Sequence, residues 1–380
     1  MNDLFINTYK KRNFVIERAE GSFVFDTTGR RYLDFLSGLA TNSLGHSHPR
    51  VIKSISNQLE KVIHPSNYYY TKPQIDLAEE LVITSKLDKV FFANSGTEAN
   101  EAAILFLSKY VAKHPGRNEV IIFDGTFLGR TYGSRTAVRG GVVESIEFIS
   151  CKIDDTQDFI KSVTAKTVAI YLELILGHGG VRKLKVETIQ EVFDICREKN
   201  ILIFIDEVQT GLGRTGSLYA FQEFNIKPDL VTLGKSLGGA LPLSAVIVSN
   251  RVAECVEPGD YGCTMGGNSL ACSAGMVLMD YLKDSIFTQT IKDKSEYISD
   301  KLNDLRSRYS YIKDIRCYGL MCGIEMDTNI VSNVLVKAIE RGLLIDIVNK
   351  NTLRMLPPLT VSYEEIDTAV SIIDDILNTL

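Results

Sequence analysis

Three short segments carry residue types that can do chemistry together. Leu233-Gly234-Lys235-Ser236-Leu237-Gly238-Gly239 sets a lysine directly after an apolar run. Its small neighbours let a flat, bulky group approach the backbone. Alone, the segment is a weak signal, because a lysine in a loop is usually just solvated. Upstream, Ile203-Phe204-Ile205-Asp206-Glu207-Val208-Gln209 is an apolar run that ends in acids. Open α/β sheets place their ligands at such carboxyl ends. A carboxylate there needs a cation, a metal or solvent, and the segment leaves all three open. The third is Asn94-Ser95-Gly96-Thr97-Glu98. As a helix start it offers free N–H groups to a phosphate. The same spacing makes Ser95 and Glu98 a capping box, and a capped helix can still present its first amides. A lysine to form an imine, a carboxylate to hold a protonated ring nitrogen and a phosphate cradle are the three requirements of pyridoxal phosphate.

The elements that must position these residues are short apolar runs alternating with helical patterns. Val90–Ala93, Val120–Phe123, Val168–Leu172, Ile201–Ile205, Leu230–Leu233 and Leu243–Val248 read as strands, apolar on both faces. Strands of that kind lie under helices in a mainly parallel sheet. A helix is expected from about Thr97 to Lys113. Val186, Ile189, Val192, Phe193 and Cys196 keep the spacing of a crossover helix. Beyond about residue 275, longer amphipathic helices surround short strands such as Gly323–Met326. The expectation is an α/β fold with a mainly parallel central sheet flanked by helices, plus a smaller α+β domain. Residues 46–274 form the large domain and 275–380 the small one, and 1–45 pack with the small domain.

Composition removes other classes. Net charge is −5, from 42 basic and 47 acidic side chains, so nothing electrostatic draws nucleic acid or an anionic membrane. Hydrophobic residues make up 45% and charged residues 23%, as in ordinary globular proteins. The N-terminus has no continuous apolar core of a signal peptide, and no run is long enough to span a bilayer. Seven scattered cysteines without a regular framework fit reduced thiols in the cytoplasm. Cys317 and Cys322 lack zinc-site spacing, the five histidines are dispersed, and no metal site is expected.

The ordered motifs resemble the class III aminotransferases of the ornithine and N-acetylornithine group, with fold-type-I architecture. The likeness covers nearly the whole length, from Tyr32-Leu33-Asp34-Phe35 and Ser43-Leu44-Gly45-His46-Ser47-His48-Pro49 through Phe92-Ala93-Asn94-Ser95-Gly96-Thr97-Glu98-Ala99-Asn100 and Phe127-Leu128-Gly129-Arg130-Thr131. It continues through Asp206-Glu207-Val208-Gln209-Thr210-Gly211 and Thr264-Met265-Gly266-Gly267-Asn268 to Leu353-Arg354-Met355-Leu356-Pro357-Pro358. The resemblance implies that Lys235 binds the cofactor as a Schiff base and carries the proton, with Asp206 on the pyridine nitrogen. It implies Gln209 on the ring oxygen, Phe127 stacked on the ring, Gly96 and Thr97 on the phosphate, and Glu207 and Val208 in the same cofactor-binding segment. Thr264 would reach the phosphate of a second copy, making a homodimer. Arg130 would hold the carboxylate of an acetylornithine-like donor near Cys263, and Arg354 that of glutamate or 2-oxoglutarate. The implied activity is ping-pong transfer of a terminal amino group from N-acetylornithine or a related diamino acid to 2-oxoglutarate, within arginine synthesis. The competing readings are a class III aminotransferase or aminomutase for another amine, or a non-catalytic binding protein of the same fold.

Departures fall on the substrate side. Glu173-Leu174-Ile175-Leu176-Gly177-His178-Gly179-Gly180 has His178 where the family keeps a glutamate that neutralises the arginine at Arg354. Histidine cannot supply that charge. Arg354 is then expected to stay available, unless another acid, such as Glu207 or one from the second copy, takes over. Leu128 and Cys263 replace a usual histidine or aromatic residue and a serine.

Overall fold

The computed structural model describes residues 4–380. Its centre is an eight-stranded sheet in the order Lys89–Ala93, Ser244–Val248, Leu230–Leu233, Leu202–Asp206, Thr167–Leu172, Glu119–Phe123, Ile146–Cys151, Val142–Val143. Every residue of Thr167–Leu172 and Leu202–Asp206 is buried, which is why both read as unbroken apolar runs. These two strands pair in parallel, Leu202 opposite Ala169. The helix Val186–Glu198 crosses between them and buries Ile189, Val192, Phe193 and Cys196. That is the expected βαβ unit.

Two strands depart from the parallel pattern, the edge strand Val142–Val143, which turns back on Ile146–Cys151, and the internal strand Ser244–Val248. Ser244–Val248 runs antiparallel to both its neighbours, Leu230–Leu233 and Lys89–Ala93. The reason is connection length. A parallel return needs a crossover of a dozen residues or more. Here only residues 234–243 intervene, and they hold the short 3-10 turn Lys235–Gly238. The chain therefore doubles back.

Two four-stranded sheets lie outside the central one. Ile16–Glu20, Phe23–Asp26 and Arg31–Asp34 continue into Leu343–Leu344, so the chain's beginning pairs with a strand from its last quarter. The other sheet orders Ile312–Tyr318, Met321–Met326, Thr352–Met355 and Asp346–Val348. Helices Ser285–Arg308, Val331–Glu340 and Tyr363–Leu377 accompany it. The helix Ser269–Lys283 carries the chain across residue 275 without a break. There Gly275 packs so closely on the Lys235 turn that a Cβ would lie 2.3 Å from the Leu237 carbonyl oxygen. Among the described residues no helix is long and apolar enough to cross a membrane, and all seven cysteines are free.

Candidate active site

Strand ends gather the three chemical segments. Lys235 follows Leu230–Leu233, and Asp206 closes the neighbouring Leu202–Asp206, opposite Thr232. Asn94 follows Lys89–Ala93. Contact between the segments is close. A Cβ on Gly234 would lie 3.2 Å from the Gly96 backbone, and one on Gly96 only 2.5 Å from a Val208 methyl. Glycine is required at both positions because the Gly96 and Gly234 backbones meet there with the Val208 side chain packed against them.

Lys235 is half-buried and sits at φ +48°, in the left-handed region. A residue with a side chain gives up about 1–2 kcal/mol there. Strain of this kind persists where surrounding structure over-determines it, and function is the usual reason. The strained turn directs Nζ to Gln209 Oε1 at 2.5 Å. Burial, and next the charge of Arg354, push the amine down to about 7, while Asp206 and Glu173 pull the other way. The lysine can therefore act as a neutral nucleophile or base near neutral pH.

Asp206 is 4% exposed. Its Oδ2 accepts from Asn100 Nδ2 at 2.8 Å and from the Tyr171 hydroxyl, and its Oδ1 from the Val208 N–H at 2.8 Å. No lysine or arginine among the described residues lies within ion-pair distance of it. Burial raises its carboxyl pKa. Glu173 is a second buried carboxylate. It accepts from the Phe127 N–H at 2.8 Å and the Gly177 N–H at 3.0 Å, and burial, then Asp206, raises its pKa.

The helix Gly96–Lys113 is capped by Ser95, whose Oγ accepts from the Glu98 N–H and donates to Glu98 Oε2. Gly96 and Thr97 occupy its first turn, where the helix itself leaves N–H groups free. Asn100 Nδ2 also donates to the Leu128 carbonyl at 2.8 Å, and Thr97 packs against Gly129. The Phe127–Arg130 loop is thereby fastened over the helix start. His178 stacks on Phe127 with ring centres 4.2 Å apart and 17° between planes, and the Arg130 guanidinium lies 5.6 Å from the same ring. Burial, then Arg354, push the His178 pKa down to about 3, so this ring is neutral.

These donors suit pyridoxal phosphate on two counts. Gln209 Nε2 is a buried donor without a partner, beside the Lys235 amine. Asp206 is a buried anion without a cation. A ring oxygen and a protonated ring nitrogen would complete them.

Comparison with known proteins agrees with that geometry. Residues 6–377 match the family model described as "Aminotransferase class-III". This chain belongs to the class III aminotransferases. It is a transaminase whose cofactor is pyridoxal 5′-phosphate. It is 39% identical to the acetylornithine aminotransferase of Methanocaldococcus jannaschii, covering 99% of this chain and 96% of that protein. Among solved structures it is similar to N-acetylornithine aminotransferase from Stenotrophomonas maltophilia (30% identity, TM-score 0.86, 98% and 97% covered). It is also similar to ornithine aminotransferase from Toxoplasma gondii, in a structure described with partial occupancy of PLP (29% identity, TM-score 0.91, 99% and 92% covered).

Other candidate residues lie apart from Lys235 within this chain or have partners of their own. Thr264 and Cys263 hydrogen-bond none of Lys235, Asp206 and Arg354. Cys263 Sγ accepts from Asn94 Nδ2 at 3.0 Å. Both residues line an open cavity of about 1090 Å³ together with Tyr68, Tyr70 and Tyr261. Glu207 is turned into the fold. Its Oε2 accepts from the Thr210 hydroxyl at 2.5 Å and its Oε1 from the Phe221 N–H at 2.9 Å, so its carboxylate braces the following loop. Nor is Arg354 without a partner. Asp346 holds it, with Oδ2 at 2.6 Å from Nη2 and Oδ1 at 3.1 Å from Nε, while Nη1 donates to the Gly177 carbonyl at 2.8 Å. Within this chain the acid is Asp346 and not Glu207. Sequence reasoning also passed over Glu173, Tyr171 and Asn100 as site residues. Of these only Glu173 left a trace, as an acid just beyond an apolar strand.

Proposed function

We propose that this aminotransferase moves the terminal amino group of N-acetylornithine, or a related diamino acid, to 2-oxoglutarate in two successive half-reactions. The observation that carries the reading is the pair of arginines, Arg130 and Arg354, whose charges both reach His178 together with that of Lys235. Exposed Arg130 lies over Phe127 at the rim, and Arg354 is buried deeper beside Gly177. Two separated guanidiniums suit substrates that present carboxylates at different distances from the reacting amine. The acetylornithine aminotransferases among the relatives support this donor.

When bound, the cofactor supplies an electron sink for breaking the bond to hydrogen at the amine-bearing carbon. The protein's part follows from its own groups. Asp206, oriented by Asn100, Tyr171 and the Val208 amide, holds a positive charge at the strand end. Gln209 steers the Lys235 amine, which takes a proton from the substrate carbon and returns it. Glu173 fixes Phe127 and Gly177, and the first-turn amides at Gly96 and Thr97 hold a phosphate. A panel of amino donors, scored by glutamate formed from 2-oxoglutarate, tests the donor. N-acetylornithine should exceed ornithine, lysine and 4-aminobutyrate by about tenfold or more in kcat/KM, the scale that one well-placed polar contact supplies. A different amine at the head of that ranking replaces this substrate.

A homodimer in the cytoplasm belongs to the same proposal, as does the division into a large domain at 46–274 and a small one at 275–380. Tyr68, Tyr70 and Tyr132 are 94%, 88% and 90% exposed, and Tyr68 and Tyr70 border the cavity that displays Thr264. Large aromatics left in water mark an interface. On this reading Thr264 serves the phosphate site of the second copy. Sedimentation at micromolar concentration should give a dimer, and a fully active monomer excludes the shared site.

A further inference from the structure

We infer that Asp346 is the built-in counter-ion of Arg354, and that it competes with ligand carboxylates for that arginine. It thereby sets the enzyme's discrimination between dicarboxylates and donors that bring no carboxylate to this position. This rests on the reading that Arg354 receives the far carboxylate of glutamate or 2-oxoglutarate.

The pairing is written into strand register. Asp346–Val348 and Thr352–Met355 are antiparallel, and residues 346 and 354 stand directly opposite. Opposed side chains in such a ladder are close enough to interact on one face. Both carboxylate oxygens engage the same edge of the guanidinium, Nε and Nη2, in the two-point geometry a substrate carboxylate would adopt. Among the described residues, Asp346 alone forms an ion pair with Arg354.

The two partners are unequally free. The Arg354 side chain is 1% exposed and tied through Nη1 to Gly177, whereas that of Asp346 is 24% exposed. The arginine is therefore the fixed member and the aspartate the one with room to turn outward. A buried guanidinium left without an anion is strongly disfavoured, so Asp346 keeps the site neutral whenever no ligand carboxylate is present. An entering carboxylate must then displace Asp346 or share the guanidinium with a like charge. Either way, Asp346 weakens dicarboxylate binding and favours amino donors that leave Arg354 alone.

The pair also communicates with the reacting amine. Gly177, which takes the Nη1 bond, donates its N–H to Glu173 and lies against Gln209, the partner of Lys235 Nζ. His178 next in the chain brings no negative charge, because its ring is neutral and stacked on Phe127. The acid missing from position 178 is thus supplied from a different strand.

The test uses holoenzyme carrying Asp346→Asn, Asp346→Glu or Arg354→Gln, with glutarate as an unreactive dicarboxylate probe followed by calorimetry. Asp346→Asn should tighten glutarate by about tenfold or more, the scale for removing one member of a close charge pair. Asp346→Glu keeps the charge and should stay within about threefold of wild type. In single turnovers, Asp346→Asn should lower the glutamate concentration giving half-maximal rate and slow the N-acetylornithine half-reaction. Unchanged or weaker glutarate binding by folded Asp346→Asn overturns the inference, because an aspartate that merely props Arg354 in place would give that result. Arg354→Gln tests the underlying reading separately. If it binds glutarate as wild type does, Arg354 is not the dicarboxylate site and both fall. If glutarate responds as expected but N-acetylornithine is no donor, the role of Asp346 stands and the donor assignment alone is lost.

Discussion

Replacing Lys235 by alanine lowers turnover by about 10⁴-fold, the upper end of what one positioned proton-transfer group contributes. It also removes the borohydride-reducible link between protein and cofactor. The wild-type enzyme carries an independent signature of the same residue. Its amine is held near 7 by burial and Arg354, far below an ordinary lysine. Only the neutral amine attacks a carbonyl. Cofactor capture by the apoenzyme should therefore accelerate as pH rises through 7 and level off above it. Stability follows the same titration. Between about pH 7 and 10 the unfolded chain keeps a proton on this lysine that the folded chain has released, so apoenzyme stability rises with pH in that window. The alanine variant should lose both slopes. Stopped-flow uptake and thermal melts at stepped pH measure them. Cofactor still fixed by borohydride to the variant would move the linkage to another lysine.

Asp206→Asn lowers turnover by at least about 10²-fold, a loss typical of removing one charge aimed at a developing charge in a closed site. The amide keeps the shape and can still accept from Asn100 and Tyr171. It cannot hold a ring nitrogen protonated. Its effect on the apoenzyme should be small. One amide hydrogen would face the Val208 N–H where Oδ1 now accepts a bond, at a cost of about 1 kcal/mol. Loss of a buried carboxylate that has no cationic partner offsets that cost. Turnover at saturating cofactor and the melting temperature of cofactor-free protein separate these effects. Near-normal turnover would release Asp206 from the role.

Local pattern carried much of this protein's architecture. Thr167–Leu172 and Leu202–Asp206 were legible because burial on both faces leaves an uninterrupted apolar run. The helix after Asn94 was legible because Ser95 and Glu98 announce a cap three residues apart. The direction of Ser244–Val248 was not, since an apolar run has the same appearance in either orientation and only the short connection through Lys235 reverses it. Tyr171 was hidden for a related reason. In a strand with every residue buried, nothing local distinguishes a tyrosine that donates to Asp206 from one that merely fills space.

By itself, the order of residues determined the α/β class, the aminotransferase family and its cofactor, along with the segments around Lys235, Asp206 and Gly96. The class and the segments follow from side-chain type, glycine placement and strand-end position, all properties of a few consecutive residues, and the family follows from the likeness of those ordered motifs to the class III aminotransferases. Tertiary structure alone decided which acid meets which base. Glu207 adjoins Asp206 in the chain, yet it lies past the strand end, where the chain turns and its carboxylate meets Thr210 and Phe221. His178 marks the loss of a negative charge, but nothing near it indicates where a replacement sits. Asp346 reaches Arg354 because a turn at residues 349–351 sets the register that puts them opposite one another. A register shifted by one residue would send them to different faces of the sheet. Charge pairing of this kind depends on distance in space, which the chain specifies only after it has folded.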